Sequence, residues 1–187
     1  MSNPIMSNLV PAWRDGILQP LDKLEVHQLG LRHKAISVFV MAEGHTLLQR
    51  RALSKYHSPG LWTNSCCTHP YWEEPALQSA QRRLNEELNL QGLDLEWCKT
   101  VEYRAEVGNN LIEHELVEIF IAHSDTRFEL VPNPEEVMET RWIRMGDLLT
   151  EIGQNPSAFT PWLKIYLGEH QADIWDHAIK PVMSDRA

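Results

Sequence analysis

The sequence predicts a single-domain α/β (α+β) fold, a mixed or antiparallel-rich sheet with helices packed against it. Short β-branched and apolar segments recur at spacings mostly too close for helical crossovers between parallel strands. One segment, Glu74–Leu90, carries apolar residues at helical spacing instead. The 187 residues, 43% of them hydrophobic, are enough for one core of ordinary size.

Residues 1–20 contain Pro4, Pro11, Gly16 and Pro20 and are read as an irregular arm. The domain proper spans residues 21–170, and residues 171–187 are a tail without an assigned structure. His27 and His33 fall in a loop ahead of the first strand, Lys34–Ala42, whose β-branched apolar run suits a buried strand. Glu43-Gly44 is a turn signal, and Thr46–Arg51 resumes as a second strand. Ser58-Pro59-Gly60 breaks the chain again. In Glu74–Leu90 the residues Leu77, Ala80, Leu84 and Leu88 form one stripe, Pro75 suits the first turn, and Gln91-Gly92 ends the helix. Leu93–Arg104 and Asn110–His123 read as strands around the turn Gly108-Asn109-Asn110. Val131–Pro134 is a loop, Val137–Arg144 a strand, and Leu148–Ile152 and Trp162–His170 are helices.

The 17 basic and 26 acidic residues give a net charge of −9, which argues against general nucleic-acid binding. An anionic ligand must therefore meet a local basic cluster or a bound metal. Met1–Gly16 has no apolar core of a secretory signal, and Ala35–Ala42, interrupted by Ser37, is too short to span a bilayer. Three cysteines, two of them adjacent, are no disulfide framework. The expectation is a cytoplasmic protein without membrane insertion.

Four groups of residues can carry chemistry. In an extended Asn64–Pro70 segment, Cys67 and His69 share a face and Cys66 points away. Such a thiol is either a buried apolar filler or, beside a cationic centre, activated toward thiolate. Glu113 and Glu115 share one face of a strand, so a cation or a proton must lie between them unless both face solvent. Glu118 is out of phase and Glu102 lies elsewhere. His27, His33, His69, Glu113 and Glu115 together would make an N₃O₂ set for a borderline or hard divalent ion, if the fold gathers them. Lys23, Arg50, Arg51, Lys55, Arg82 and Arg83 are basic residues suited to phosphate, some of which only solvate a face. Glu86 and Glu87 follow Arg82 and Arg83 by four residues. They either pair along the helix or present carboxylates to Mg²⁺ on a diphosphate.

Glu74, Arg82, Leu84, Glu86-Glu87 and Leu90 resemble a degenerate Nudix box, with Thr68, Arg83 and Asn89 standing where the box has Gly, Glu and Gly. Arg50–Lys55, Pro59–Ser65, Cys67-x-His69-Pro70, Tyr103-Arg104-Ala105, Glu113-x-Glu115 and Phe159–Trp162 resemble, in order, the segments of type I isopentenyl-diphosphate Δ-isomerases.

The resemblance implies a Nudix-like fold and a metal-dependent isomerase. It would interconvert isopentenyl and dimethylallyl diphosphate through a tertiary carbocation, for isoprenoid biosynthesis. It implies that His27, His33, His69, Glu113 and Glu115 bind one divalent ion, Mn²⁺, Zn²⁺ or Mg²⁺, and that Glu87 helps hold Mg²⁺ on the diphosphate. Lys23, Arg51, Lys55 and Arg83 would bind the diphosphate, Trp162 would face the carbocation, and Cys67 and Glu115, supported by Tyr103, would carry the protons. The alternatives are a Nudix hydrolase of a nucleoside diphosphate derivative and a non-catalytic, metal-stabilised binding module.

Overall fold

One strand carries two apolar ridges, and the molecule is built on both. In β3 (Arg32–Ala42), Ala35, Phe39 and Met41 face one way and Ile36, Val38 and Val40 the other, all buried. A strand covered on both faces suits a parallel neighbour. Accordingly β3 pairs in parallel with β8 (Ile112–His123) from Arg32↔His114 to Met41↔His123.

The computed structural model describes residues 8–179. In chain order the remaining elements are β1 (Leu9–Arg14), β2 (Ile17–Asp22), α1 (Lys23–Leu29), β4 (His45–Arg51), β5 (Trp62–Thr63), β6 (Cys66–Thr68), α2 (Ala76–Leu88), β7 (Leu95–Glu106), β9 (Val137–Arg144), α3 (Met145–Gln154), a short 3₁₀ turn at Pro156–Ala158, α4 (Pro161–Glu169) and α5 (Gln171–Ile179). Every named strand pairing except β3–β8 is antiparallel. β6 and β4 share one edge of β3, through Ile36–Val38 and Met41-Ala42 respectively, and β7 closes the far side of β8. The expected mixed, antiparallel-rich sheet is the one observed.

Helix α2 covers one face, packing Ala80, Leu84 and Leu88 onto Ile36, Val38, Val40 and Phe120. Helices α3, α4 and α5 cover the other, with Leu148, Trp162, Leu163, Tyr166 and Ile174 against Phe39, Val117 and Ile119. Full burial of one such side chain is worth about 1.5–3 kcal/mol, so both layers hold the sheet. Among the described residues no helix is long and apolar enough to cross a membrane.

Four expectations need correction. Residues 9–20 are not irregular: they lie in the β1–β2 hairpin, turned by Asp15-Gly16 with φ of 54° and 79°. Asp-Gly is a hairpin turn signal, and Pro11 stands opposite Pro20, so both missing N–H groups fall on one cross-strand pair. Residues 171–179 form α5; residues 1–7 of the arm and 180–187 of the tail lie outside the described residues. His27 lies on α1 and His33 on β3, not in a loop. Leu77 is 41% exposed, because the buried face of α2 runs instead through Ser79, Ala80, Leu84, Glu87 and Leu88. That helix ends at Asn89, whose φ of 53° places it in the left-handed region.

Candidate active site

A cleft of about 430 Å³, counting its open mouth, lies beside α1, and one cross-strand row forms a wall of it. Tyr103 is paired with Glu115 across β7–β8, and Glu115 with His33 across β8–β3. Neighbours in register point to one side of a sheet, so these three residues converge. Glu113 lies two positions before Glu115 on the same face, and β6 brings in Cys67 and leads to His69.

Helix α1 supplies His27. Asp22 caps it, its Oδ1 accepting from the Glu25 N–H at 3.0 Å, and Gly30 ends it at φ 61°. A Cβ at Gly30 would lie 3.2 Å from Ile112, so both backbone angle and space favour glycine. The His27 Nδ1–H donates to the Lys23 carbonyl at 2.6 Å, and the His33 Nδ1–H to the Leu31 carbonyl at 2.7 Å. A carbonyl only accepts, so in the neutral rings both Nε2 atoms carry lone pairs, that of His27 facing the Tyr56 hydroxyl at 3.5 Å.

The rings of His27, His33 and His69 stand 4.8–5.1 Å apart, centroid to centroid, and all three are buried. Glu115 Oε1 lies 2.9 Å from His69 Nε2 and 3.6 Å from His33 Nε2. The Tyr103 hydroxyl lies 2.8 Å from Glu113 Oε2 and 2.7 Å from Glu115 Oε2. His33 Nε2 is buried without a hydrogen-bond partner. Clustered lone pairs and paired carboxylates fit a divalent cation held by nitrogen and oxygen. Burial pushes the His27 pKa down to about 4 and that of His69 down as well, so these rings are neutral, as ligands must be, and burial lowers the neighbouring His57 too. Burial, then the charge of Glu115, pushes the Glu113 carboxyl well above its usual range. Burial opposes ionisation of Glu115 too, but the hydrogen bond from His69 and the adjacent His33 ring hold it well below.

The same cleft also gathers cations. Lys23, Arg51, Lys55 and Arg83 all line the cleft. Burial, followed by the charges of Lys55, Arg83 and Arg51, lowers the Lys23 pKa to about 8. That repulsion is the electrostatic mark of cations gathered for an anion. Two carboxylates offset them: Glu136 pairs with Lys55 and, at 3.0 Å, with Arg83, while Glu87 lies 2.5 Å from Arg83 and accepts from Gln49 at 2.8 Å.

Cys67 lines the cleft with both groups. Its thiol donates to Asn64 Oδ1 at 3.1 Å and lies 3.0 Å from Ser37 Oγ. Burial, reinforced by Glu115 and opposed by the Ser37 and Asn64 contacts, pushes its pKa up to about 12. Of the two readings of this thiol, burial therefore favours the neutral form over an activated thiolate. Cys66 points into the opposite core, as alternation along the strand requires. Trp162 lines the cleft, donates from Nε1 to Thr63 Oγ1 at 2.8 Å and lies under the Arg51 guanidinium, 5.3 Å from its ring centroid.

Two basic candidates fall outside the cleft. Arg50 bonds the Gly60 carbonyl and stacks over Trp62, and Arg82 is tied through two bonds to Glu74. Sequence reasoning missed His57, Tyr56 and Glu136. The adjacent aromatic pair Tyr56-His57 beside Lys55 was a usable signal; Glu136 had none.

A model of the NUDIX domain matches residues 31–163. A protein named isopentenyl-diphosphate Delta-isomerase from Cereibacter sphaeroides is 56% identical over 170 residues, covering 91% of this chain and 96% of that one. Like-named proteins from Dinoroseobacter shibae and Ruegeria pomeroyi are 55% and 54% identical over 91% of this chain, covering 97% and 94% of their own. Among solved structures, a Deinococcus radiodurans protein superposes with a TM-score of 0.61 at 17% identity, covering 76% of this chain and 82% of that one. A MutT NUDIX hydrolase from Burkholderia pseudomallei gives 0.55 at 21% identity, covering 74% and 97%. These two likenesses concern the fold alone. The high identity along nine-tenths of the chain, joined to a NUDIX match that includes the strands walling the cleft, means that this chain belongs to the isopentenyl-diphosphate Δ-isomerase family.

Proposed function

We propose that this enzyme interconverts isopentenyl and dimethylallyl diphosphate, supplying isoprenoid biosynthesis. The observation that carries the reading is the sharing of one cleft by four cations, a neutral thiol and the Glu115–Tyr103 pair. Lys23, Arg51, Lys55 and Arg83 bind the diphosphate, the two arginines suiting phosphate oxygens as forked donors. The isoprenoid carbons then lie toward Cys67, Tyr103 and Trp162.

The balance of the reaction is simple. A proton added to the terminal methylene carbon gives a tertiary carbocation. Loss of a proton from the neighbouring methylene gives the internal double bond, and no atom is gained or lost. Cys67 serves one proton transfer and Glu115 with Tyr103 the other, with roles exchanged for the reverse reaction. Burial supports this, because a proton held on a dry thiol or carboxyl is not lost to water. The Trp162 ring stabilises the cation by roughly 0.5–2 kcal/mol.

His27, His33, His69, Glu113 and Glu115 would hold one divalent ion, Mn²⁺, Zn²⁺ or Mg²⁺, and Glu87 would contribute to Mg²⁺ carried in with the diphosphate. When bound, the first ion supplies positive charge beside Glu115, coupling that carboxylate's proton affinity to occupancy of the site. The reading of a cytoplasmic enzyme rests on cysteine usage.

The hydrolase reading is weaker. Both Glu74 oxygens accept from Arg82, and Glu86 is shared between Arg82 and Arg83, so these box carboxylates are already engaged by arginines. A binding module would leave the thiol, phenol and carboxylates without a task. The deciding assay supplies isopentenyl diphosphate and measures acid-labile allylic product, beside phosphate release from a nucleotide panel. Allylic product supports the isomerase; phosphate release alone selects the hydrolase, and neither leaves the binding module.

A further inference from the structure

His57 belongs to none of the groups assigned above, yet it faces the same lone pairs. Its side chain is 4% exposed, and its Nε2 lies 3.4 Å from Glu113 Oε1. Its Nδ1 is buried without a hydrogen-bond partner. The ring stacks against His27 at 5.8 Å and 24°. His27, His57 and Glu113 each offer a ligand atom, all within 4.8 Å of one another, as do His27, His33 and His69. The two groups share His27, so they are two sides of one site.

We propose that His57 is a further metal ligand, extending the donor set to four imidazoles and two carboxylates. The inference rests on the metal-dependent reading above. Two atoms bound to one ion at about 2.1 Å each stand about 3–3.5 Å apart, the spacing of His57 Nε2 and Glu113 Oε1. Tyr56 holds the ring in place, edge-on at 4.4 Å, and the His57 carbonyl accepts from Arg51 Nη2 at 3.0 Å. A fourth imidazole shifts the site away from Mg²⁺ and toward borderline ions such as Zn²⁺, because nitrogen suits them better than a hard, oxygen-seeking ion. It also ties the ion to the stretch Lys55-Tyr56-His57, whose lysine is one of the cleft's cations.

The test counts imidazoles on the ion. Tag-free protein labelled with ¹⁵N-histidine is loaded with one equivalent of Zn²⁺, and the ring nitrogens are followed by long-range ¹⁵N–¹H correlation. The nine histidines give few enough signals to assign. Four zinc-bound imidazoles in the wild type, with one lost in His57→Gln, is the expected result. Zinc affinity by chelator competition should then fall by at least the 10–100-fold that loss of a supporting partner causes. Three bound imidazoles in both proteins overturns the role of His57 and leaves the metal site standing. No bound imidazole in the wild type overturns the site itself. The wild-type count decides even if the variant does not fold.

Discussion

Two groups of side chains in one cleft are electrostatic opposites. In one, Lys23, Arg51, Lys55 and Arg83 bring four cations together, and Glu87 and Glu136 offset part of their charge. In the other, His27, His33, His57, His69, Glu113 and Glu115 gather acceptors and lone pairs, with His33 Nε2 left without a partner. One group has the chemistry to take an anion and the other the chemistry to take a cation. Helix α1 serves both: Lys23 gives its ammonium to the first and, through its carbonyl, fixes the His27 tautomer in the second. The contrast teaches that burial of charge need not be matched within each group if, as proposed, a ligand of opposite sign completes it.

The sharpest break in this picture comes from a residue that belongs to neither group. Cys67→Ala should lower turnover about 10²–10⁴-fold, the range for a positioned acid or base. Metal content and pyrophosphate affinity should stay within twofold, since neither group loses a member. Cys66→Ala, facing the other core, should retain turnover. Steady-state kinetics beside metal analysis checks this. Near-normal turnover in Cys67→Ala would make the thiol structural.

Acid should disturb the lone-pair group selectively. His27 sits at about 4 against an ordinary 6.5, so between these values the unfolded chain binds more protons than the folded one. Stability of the chelator-treated chain therefore falls as pH drops from about 6.5 to about 4. His27 alone contributes about 3 kcal/mol, at about 1.4 kcal/mol per pH unit. His57 and His69 act in the same direction, while Glu113, shifted upward, acts against them as one group against three. Urea unfolding with chelator at pH 6.5 and 4.5 measures the slope, and a flat profile would contradict the buried neutral histidines.

Much of this arrangement was legible in the chain, for local reasons. The run Lys34–Ala42 showed the central strand, and alternation separated Cys67 and His69 from Cys66 and joined Glu113 to Glu115. What was missed depends on longer range or weaker pattern. Seven residues of α1 are too few for periodicity to stand out, so His27 was assigned to a loop. The prolines of residues 9–20 outweighed the Asp15-Gly16 turn signal, although pairing across the hairpin accommodates them. Glu136 meets partners 53 and 81 positions away, which no spacing rule reaches. The four diphosphate candidates came from the resemblance, and the fold does bring them to one cleft.

In the cationic group, Arg83→Gln removes one forked donor and leaves Glu87 and Glu136 in place. A hydrogen bond to a charged group is worth about 1.5–3 kcal/mol, so affinity for isopentenyl diphosphate should fall roughly 10–100-fold. Zinc affinity should not change, because Arg83 contacts none of the histidines in the structure. Parallel titrations with diphosphate and with metal check this, and a joint loss would show that the groups are not independent.

The smallest effect has the most informative sign. Glu136 pairs with both Lys55 and Arg83, and these contacts, after burial has worked against its charge, hold its pKa below the usual value. Its carboxylate thus stands near the cations that an incoming diphosphate would meet. If it is a placeholder, Glu136→Gln removes a competing negative charge while keeping the shape, and diphosphate should bind tighter. The gain is small because the pair is partly exposed: about 0.5–1 kcal/mol, or roughly two- to fivefold. If Glu136 instead holds Lys55 and Arg83 in their binding geometry, the same substitution frees two long side chains and affinity falls. Calorimetric titration of inorganic pyrophosphate into both proteins, without Mg²⁺ and then with it, separates the cases. Tighter binding in both series identifies the placeholder. Weaker binding without Mg²⁺ identifies the brace, and a loss confined to the Mg²⁺ series gives Glu136, with Glu87, a share in holding the ion. The first outcome sharpens the contrast between the groups, because the protein's own anion would then occupy the place of the ligand's.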